Sequence, residues 1–99
     1  MIKVEVKKNN ILILGHANFD EYGKDIVCAA ASSIVITSIE AIAKFDINAI
    51  NIKQTDNKLE IIINKKDDIT IKLLENMLNC LKELELKYKK NIKISYKEE

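Results

Sequence analysis

His16 and Cys28 stand twelve positions apart, and His16 is the only histidine of the chain. A thiolate attacks carbonyl carbon. An imidazole within hydrogen-bond reach can take the thiol proton and later return it to a leaving amine. Together they would form the working pair of a cysteine protease. Asp25 precedes a long apolar run and is a candidate N-cap, which makes Cys28 the third residue of the helix that follows. A thiol there meets the positive end of the helix dipole and N–H groups without intrahelical partners, and both favour the thiolate. The same N–H groups could hold the oxyanion of a tetrahedral intermediate. Spacing alone is weak support, because a buried packing cysteine is the commoner case in small domains.

The rest of the composition narrows the field. A chain of 99 residues suits one domain, 1–99, with one core. At 47% hydrophobic and 31% charged residues it reads as a folded protein. A net charge of +1 gives no reason to expect direct nucleic-acid binding or an anionic membrane as partner. The short run Lys87, Lys89 and Lys90 reads as a solvated helix end beside Glu83 and Glu85. The N-terminal residues alternate like a strand and lack the apolar core of a signal peptide, so a cytoplasmic, reducing location is expected. There is no CxxC and no paired Cys/His cluster, so no metal site is expected. Cys80 borders the apolar face of a second helix and reads as a packing residue.

These side chains need elements to position them. Ile2, Val4 and Val6 alternate with Lys3, Glu5 and Lys7, and Asn9-Asn10 offers a turn into Ile11–Leu14, which is apolar on both faces. Residues 15–24 follow neither period and read as a loop. A helical run extends from Ile26 to about Phe45. Its length approaches a membrane span, but Ser32, Ser33, Thr37, Ser38 and Glu40 favour a helix buried on more than one side. The second buried side points to a partner subunit or the other helix. A second hairpin follows over 49–53 and 59–64. Asp67-Asp68 then open a helix whose Leu74, Met77, Leu78, Leu81, Leu84 and Tyr88 share one face. Ile92, Ile94 and Tyr96 alternate as a last strand. The fold class is α/β (α+β): a single mixed β-sheet with two helices on one face, in the order ββαββαβ.

Gly15-His16-Ala17, then Gly23-Lys24-Asp25-Ile26-Val27-Cys28-Ala29-Ala30, then Ser32, resembles the signature of the ribosomal-processing cysteine protease family, Prp. The signature covers about eighteen residues, including the His-to-Cys spacing, and length and element order agree over the rest of the chain. The resemblance implies a homodimeric cytosolic protease without cofactors. Such an enzyme removes the N-terminal extension of a large-subunit ribosomal protein precursor, cutting after an aromatic-containing sequence. By motif position, Cys28 is its nucleophile and His16 its base, and the intervening loop is a flap that orders over the peptide. Ala31 stands where family members often carry a larger aliphatic residue.

Other residues of the motif keep alternatives open. Asp25 either caps the helix or orients the pair. Ser32, one turn from Cys28, either bonds near the site or bonds back to the Cys28 carbonyl. Asn18 lies within the flap, and Phe19 and Tyr22 either contact the substrate or anchor the loop to the core. Gly23 permits positive φ or close approach before the helix. Gly15 serves as a hinge or leaves room for the peptide backbone. From a different functional class, a non-catalytic ribosome-associated peptide-binding module of the same fold would use the same groove without turnover.

Overall fold

Alternation in the first fourteen residues builds an antiparallel hairpin of β1 (Ile2–Val6) and β2 (Asn10–Leu14), paired from Val6–Ile11 to Lys3–Leu14. The structure, a computed structural model, describes residues 1–15, 26–55 and 57–97. The hairpin turns at Lys8-Asn9, one residue earlier than the sequence suggests. Asn10 is drawn into the strand because its side-chain amide donates to Glu60 at 2.6 Å across the sheet, while its carbonyl accepts from the Lys7 N–H at 2.9 Å.

Among the described residues the chain continues as α1 (Ile26–Phe45), β3 (Ile50–Gln54), β4 (Lys58–Ile63), α2 (Asp68–Lys87) and β5 (Ile92–Tyr96). The sheet order is β3-β4-β2-β1-β5, antiparallel throughout except for β5, which lies parallel to β1. That parallel pair follows from the connection: α2 carries the chain back across one face before β5 begins.

Register gathers the buried apolar residues of the strands on one face. Ile13 lies between Val4 and Leu59, Ile11 between Val6 and Ile61, and Ile2 beside Ile92. Both helices cover this face. From α1 come Val27, Cys28, Ala31, Val35 and Ile42, and from α2 come Leu74, Met77, Leu78 and Leu81, all in one buried core. Met77 and Leu81 are fully buried, each such side chain contributing about 1.5–3 kcal/mol by burial. On the opposite face Leu12 and Leu14 of the central strand are half-buried between Glu5 and Glu60 and between Lys3 and Lys58, whose aliphatic stems flank them.

The ends of the helices distant from Cys28 are tied to each other. Asp46, just past α1, accepts a 2.7 Å salt bridge from Lys65 and a 2.9 Å bond from the Asn48 N–H. The Asn64 and Lys65 N–H groups donate to the Ala49 carbonyl at 2.9 and 3.1 Å. Asp67 caps α2 by accepting from the Thr70 N–H at 2.9 Å. At the other end of α2, Lys82 lies 4.8 Å from the ring centre of Tyr96, joining the helix to β5.

Candidate active site

The chain leaves β2 at a fixed point. Gly15 has φ +82°, a left-handed conformation that side-chain-bearing residues rarely adopt, and a Cβ there would lie 2.7 Å from the Met1 carbonyl oxygen. Its N–H donates to the Asn57 carbonyl at 2.8 Å. Gly15 is thus held between the start of β1 and the turn before β4, and the space beside its Cα on that side belongs to Met1. His16 follows directly in the chain. His16, Ala17, Asn18, Phe19, Tyr22, Gly23 and Asp25 lie outside the described residues.

Cys28 is the third residue of α1 and is 2% exposed. The first turn of α1, Ile26-Val27-Cys28-Ala29, contains no acidic side chain. The first turn of α2, by contrast, carries Asp68. A first turn without an acidic side chain suits this end of α1 to a developing anion.

Two positions bring the end of β2 and the N-terminal half of α1 to one recess. Ile13, two residues before Gly15, and Ala31, three after Cys28, line the same apolar recess, with room of about 70 Å3. Val35 and Ile39 continue its helix wall, Leu59 completes its floor beside Ile13, and Ile36 and Gln54 stand exposed at its sides. Ser32 also lines it. The Ser32 Oγ is buried and has no hydrogen-bond partner among the described residues, so the back-bond to the Cys28 carbonyl is not made. Ser38, further along α1, does make such a bond, to the Ile34 carbonyl at 2.8 Å. A buried hydroxyl left unpaired costs about 1–3 kcal/mol, which marks Ser32 as a residue whose partner comes from elsewhere.

Gln54, Leu59 and Ile13 form one row across three strands, and sequence reasoning did not single them out for the site. The available signal was Gln54, a polar residue ending a strand at a core-facing position. Its meaning depends on register, which local pattern does not reveal.

The whole arrangement has known counterparts. Residues 1–93 match the family model for cysteine protease Prp. The chain belongs to the Prp family of cysteine proteases. A ribosomal processing cysteine protease Prp from Staphylococcus aureus strain Mu50 is 35% identical over 96 residues, covering 94% of this chain and 91% of the relative. Two crystal structures of an essential ribosomal processing protease Prp from S. aureus, one with a covalently linked product peptide and one with a substrate peptide, superpose with TM-scores of 0.87 and 0.86. They are 31% and 30% identical, and the matches cover 98% of this chain and 100% of theirs. The ββαββαβ order and the mixed sheet are therefore those of Prp. Family membership also makes this protein a cysteine protease, and its chemistry requires a cysteine at a peptide-accessible place.

Proposed function

We propose that the protein is an endopeptidase that removes the N-terminal extension of a large-subunit ribosomal protein precursor in the cytoplasm, with Cys28 as nucleophile and His16 as its base and acid. The observation that carries this reading is the position of Cys28 in an acid-free first helical turn, one turn before Ala31, which shares a recess with Ile13 near the strand end that precedes His16. Its chemical plausibility rests on the helix terminus, and its substrate class on the S. aureus relatives, which are named for ribosomal processing.

His16 takes the Cys28 proton, and the thiolate adds to the scissile carbonyl carbon. The N–H groups of the first turn of α1 receive the resulting oxyanion. As the C–N bond breaks, His16 delivers its proton to the leaving amine. Water, deprotonated by His16, then attacks the thioester and releases the acid product and free thiol. Because Cys28 is 2% exposed, substrate binding must uncover Sγ before attack. In this reading Ala17, Asn18, Phe19, Tyr22 and Gly23 belong to the substrate flap, Gly15 is its fixed anchor at the end of β2, and Asp25 supports the pair. The enzyme works as a homodimer, for which the support is the exposed outer side of α1, including Ile26 and Ile36 at 58% and 54%.

Incubating the purified protein with the precursor tests the reading. Wild type and Cys80→Ala should release the extension, whereas Cys28→Ala should lose at least about 10^4-fold in rate and His16→Ala should fall severely. Full activity in Cys28→Ala would remove the mechanism. Tight precursor binding without cleavage by wild type would favour a peptide-binding module instead.

A further inference from the structure

We infer that Glu85 and Tyr88 of α2 latch the β5 edge of the sheet against strand addition, so that copies of the chain do not join edge to edge into open-ended arrays. The two edges of the sheet differ in this respect, and the difference lies in their hydrogen bonds. The latch is independent of the protease chemistry.

Strand pairing decides which backbone groups look outward. At β5 the Asn91 carbonyl accepts from the Ile2 N–H and the Lys97 N–H donates to the Val6 carbonyl, both at 2.8 Å, so odd-numbered residues face β1. Ile92, Ile94 and Tyr96 therefore turn their N–H and C=O groups to the free edge. Two of those donors are already taken. The Ile94 N–H donates to the Glu85 carboxylate at 3.0 Å, and the Ile92 N–H donates to the Tyr88 carbonyl at 3.3 Å. One turn earlier on α2, Lys82 stands over the Tyr96 ring. The other edge is different. There the Thr55 N–H donates to the Lys58 carbonyl and the Asn64 N–H to the Ala49 carbonyl, each at 2.9 Å, so Ile50, Ile52 and Gln54 look outward from β3. Their N–H groups have no partner among the described residues.

A strand adding to β5 would bring a carbonyl oxygen to the place the Glu85 oxygen holds. It would have to displace a charge-assisted hydrogen bond, roughly twice as strong as a neutral one, and bring its own carbonyl dipole against a carboxylate. β3 presents neither obstacle. With β5 open as well, each copy would carry two different edges of 5 residues, and β3 of one copy would continue the sheet beside β5 of the next. Such a head-to-tail contact does not close, and copies joined in this way grow as filaments. With β5 latched, β3 can meet only another β3, and that pairing ends at two copies. Side-chain propensity does not prevent the pairing, because both edge strands carry isoleucine at alternate positions, Ile50 and Ile52 in one and Ile92 and Ile94 in the other. The backbone latch is what separates them.

Light scattering and sedimentation velocity over a concentration series test the latch with wild type, Glu85→Leu, Glu85→Gln and the double variant Glu85→Leu with Ile52→Lys. Wild type should stay at or below two copies. Glu85→Leu should keep the wild-type circular dichroism spectrum and form larger species as concentration rises. Adding Ile52→Lys puts a charge on the open β3 edge, at a residue 39% exposed, and should restore the wild-type size. Glu85→Gln keeps an acceptor oxygen and should also remain at the wild-type size. Amide exchange reads the latch without any assembly. At dilution the Ile94 N–H should exchange about 10–150-fold faster in Glu85→Leu than in wild type, the range for a hydrogen bond to a charged group. An unprotected Ile94 N–H in wild type would overturn the inference, as would a Glu85→Leu variant that stays at the wild-type size. Growth that persists with Ile52→Lys, or that appears equally in Glu85→Gln, would overturn it too.

Discussion

Gly15 illustrates what a single residue reveals before and after folding. Its neighbour His16 drew attention to it, and the absence of Pro and scarcity of Gly made a special backbone conformation legible there. The reason for the glycine was not legible, because the close approach comes from Met1, fourteen positions away in the chain and adjacent only through strand pairing. Replacing Gly15 by Ala imposes a positive-φ penalty of about 1–3 kcal/mol, and the 2.7 Å approach to backbone makes relief by side-chain motion impossible. Urea unfolding should therefore show Gly15→Ala less stable by at least that amount. Because the strain falls one residue before His16, cleavage should drop further than the unfolded fraction accounts for. A variant with wild-type stability would mean that the left-handed turn is not required. Ser32 gives the complementary case: its place one turn from Cys28 was readable from helical spacing, but not that it shares a recess with the row Gln54–Leu59–Ile13, which no local pattern contains.

Among the elements, α2 was the most readable. Leu74, Met77, Leu78 and Leu81 follow helical spacing and are the residues the core receives, and of the two acids read as complementing the helix dipole, Asp67 is also the N-cap. Strand faces were equally clear, but strand neighbours were not. Alternation tells which side of β5 is buried without telling that it pairs in parallel with β1 at the edge. The clamp joining the far ends of the helices also escaped local reading, since Asp46 and Lys65 meet across the second hairpin. Its ionisation has a definite sign. Hydrogen bonding to Lys65, then to the Asn48 N–H, holds the Asp46 carboxyl below its ordinary 3.8, and hydrogen bonding to Thr70 does the same for Asp67. Hydrogen bonding to Asp46 raises Lys65 above 10.5. The carboxylate contributions are present above the unfolded value and vanish as pH falls through the lowered folded value. The lysine contribution is present below 10.5 and vanishes as pH rises through its raised value. Asp46→Asn should lower the Tm modestly at neutral pH. Its difference from wild type should shrink in acid below about 3.8, in strong base above about 10.5, and in high salt. A difference independent of pH would assign the clamp to packing instead.

At the scale of the whole molecule, α1 poses a question of solvent. Its 20 residues have a mean hydropathy of 2.0 in their most apolar window, long and apolar enough to cross a membrane, yet only 28% of that window is buried within the chain. A bilayer is a poor answer, because Val27, Cys28, Ala31, Val35 and Ile42 would have to leave the sheet, and the core would lose its helix wall. The outer side of α1 instead has the character of a helix-packing surface. Ala29, Ser33 and Thr37 recur every four residues, are exposed and are small enough for another helix to approach closely, with Ile26 and Ile36 also exposed along the helix. In the proposed homodimer a second copy of this chain would meet that surface with its own, as two-fold symmetry requires. Sedimentation velocity should give a species of about twice 11.3 kDa at micromolar concentration. Ser33→Arg places a long charged side chain in the middle of the small-residue stripe while touching none of the core, so it should yield a folded monomer with an unchanged circular dichroism spectrum. A monomeric wild type, or a Ser33→Arg variant that remains dimeric, would remove α1 as the interface and leave its apolar outer side to another partner.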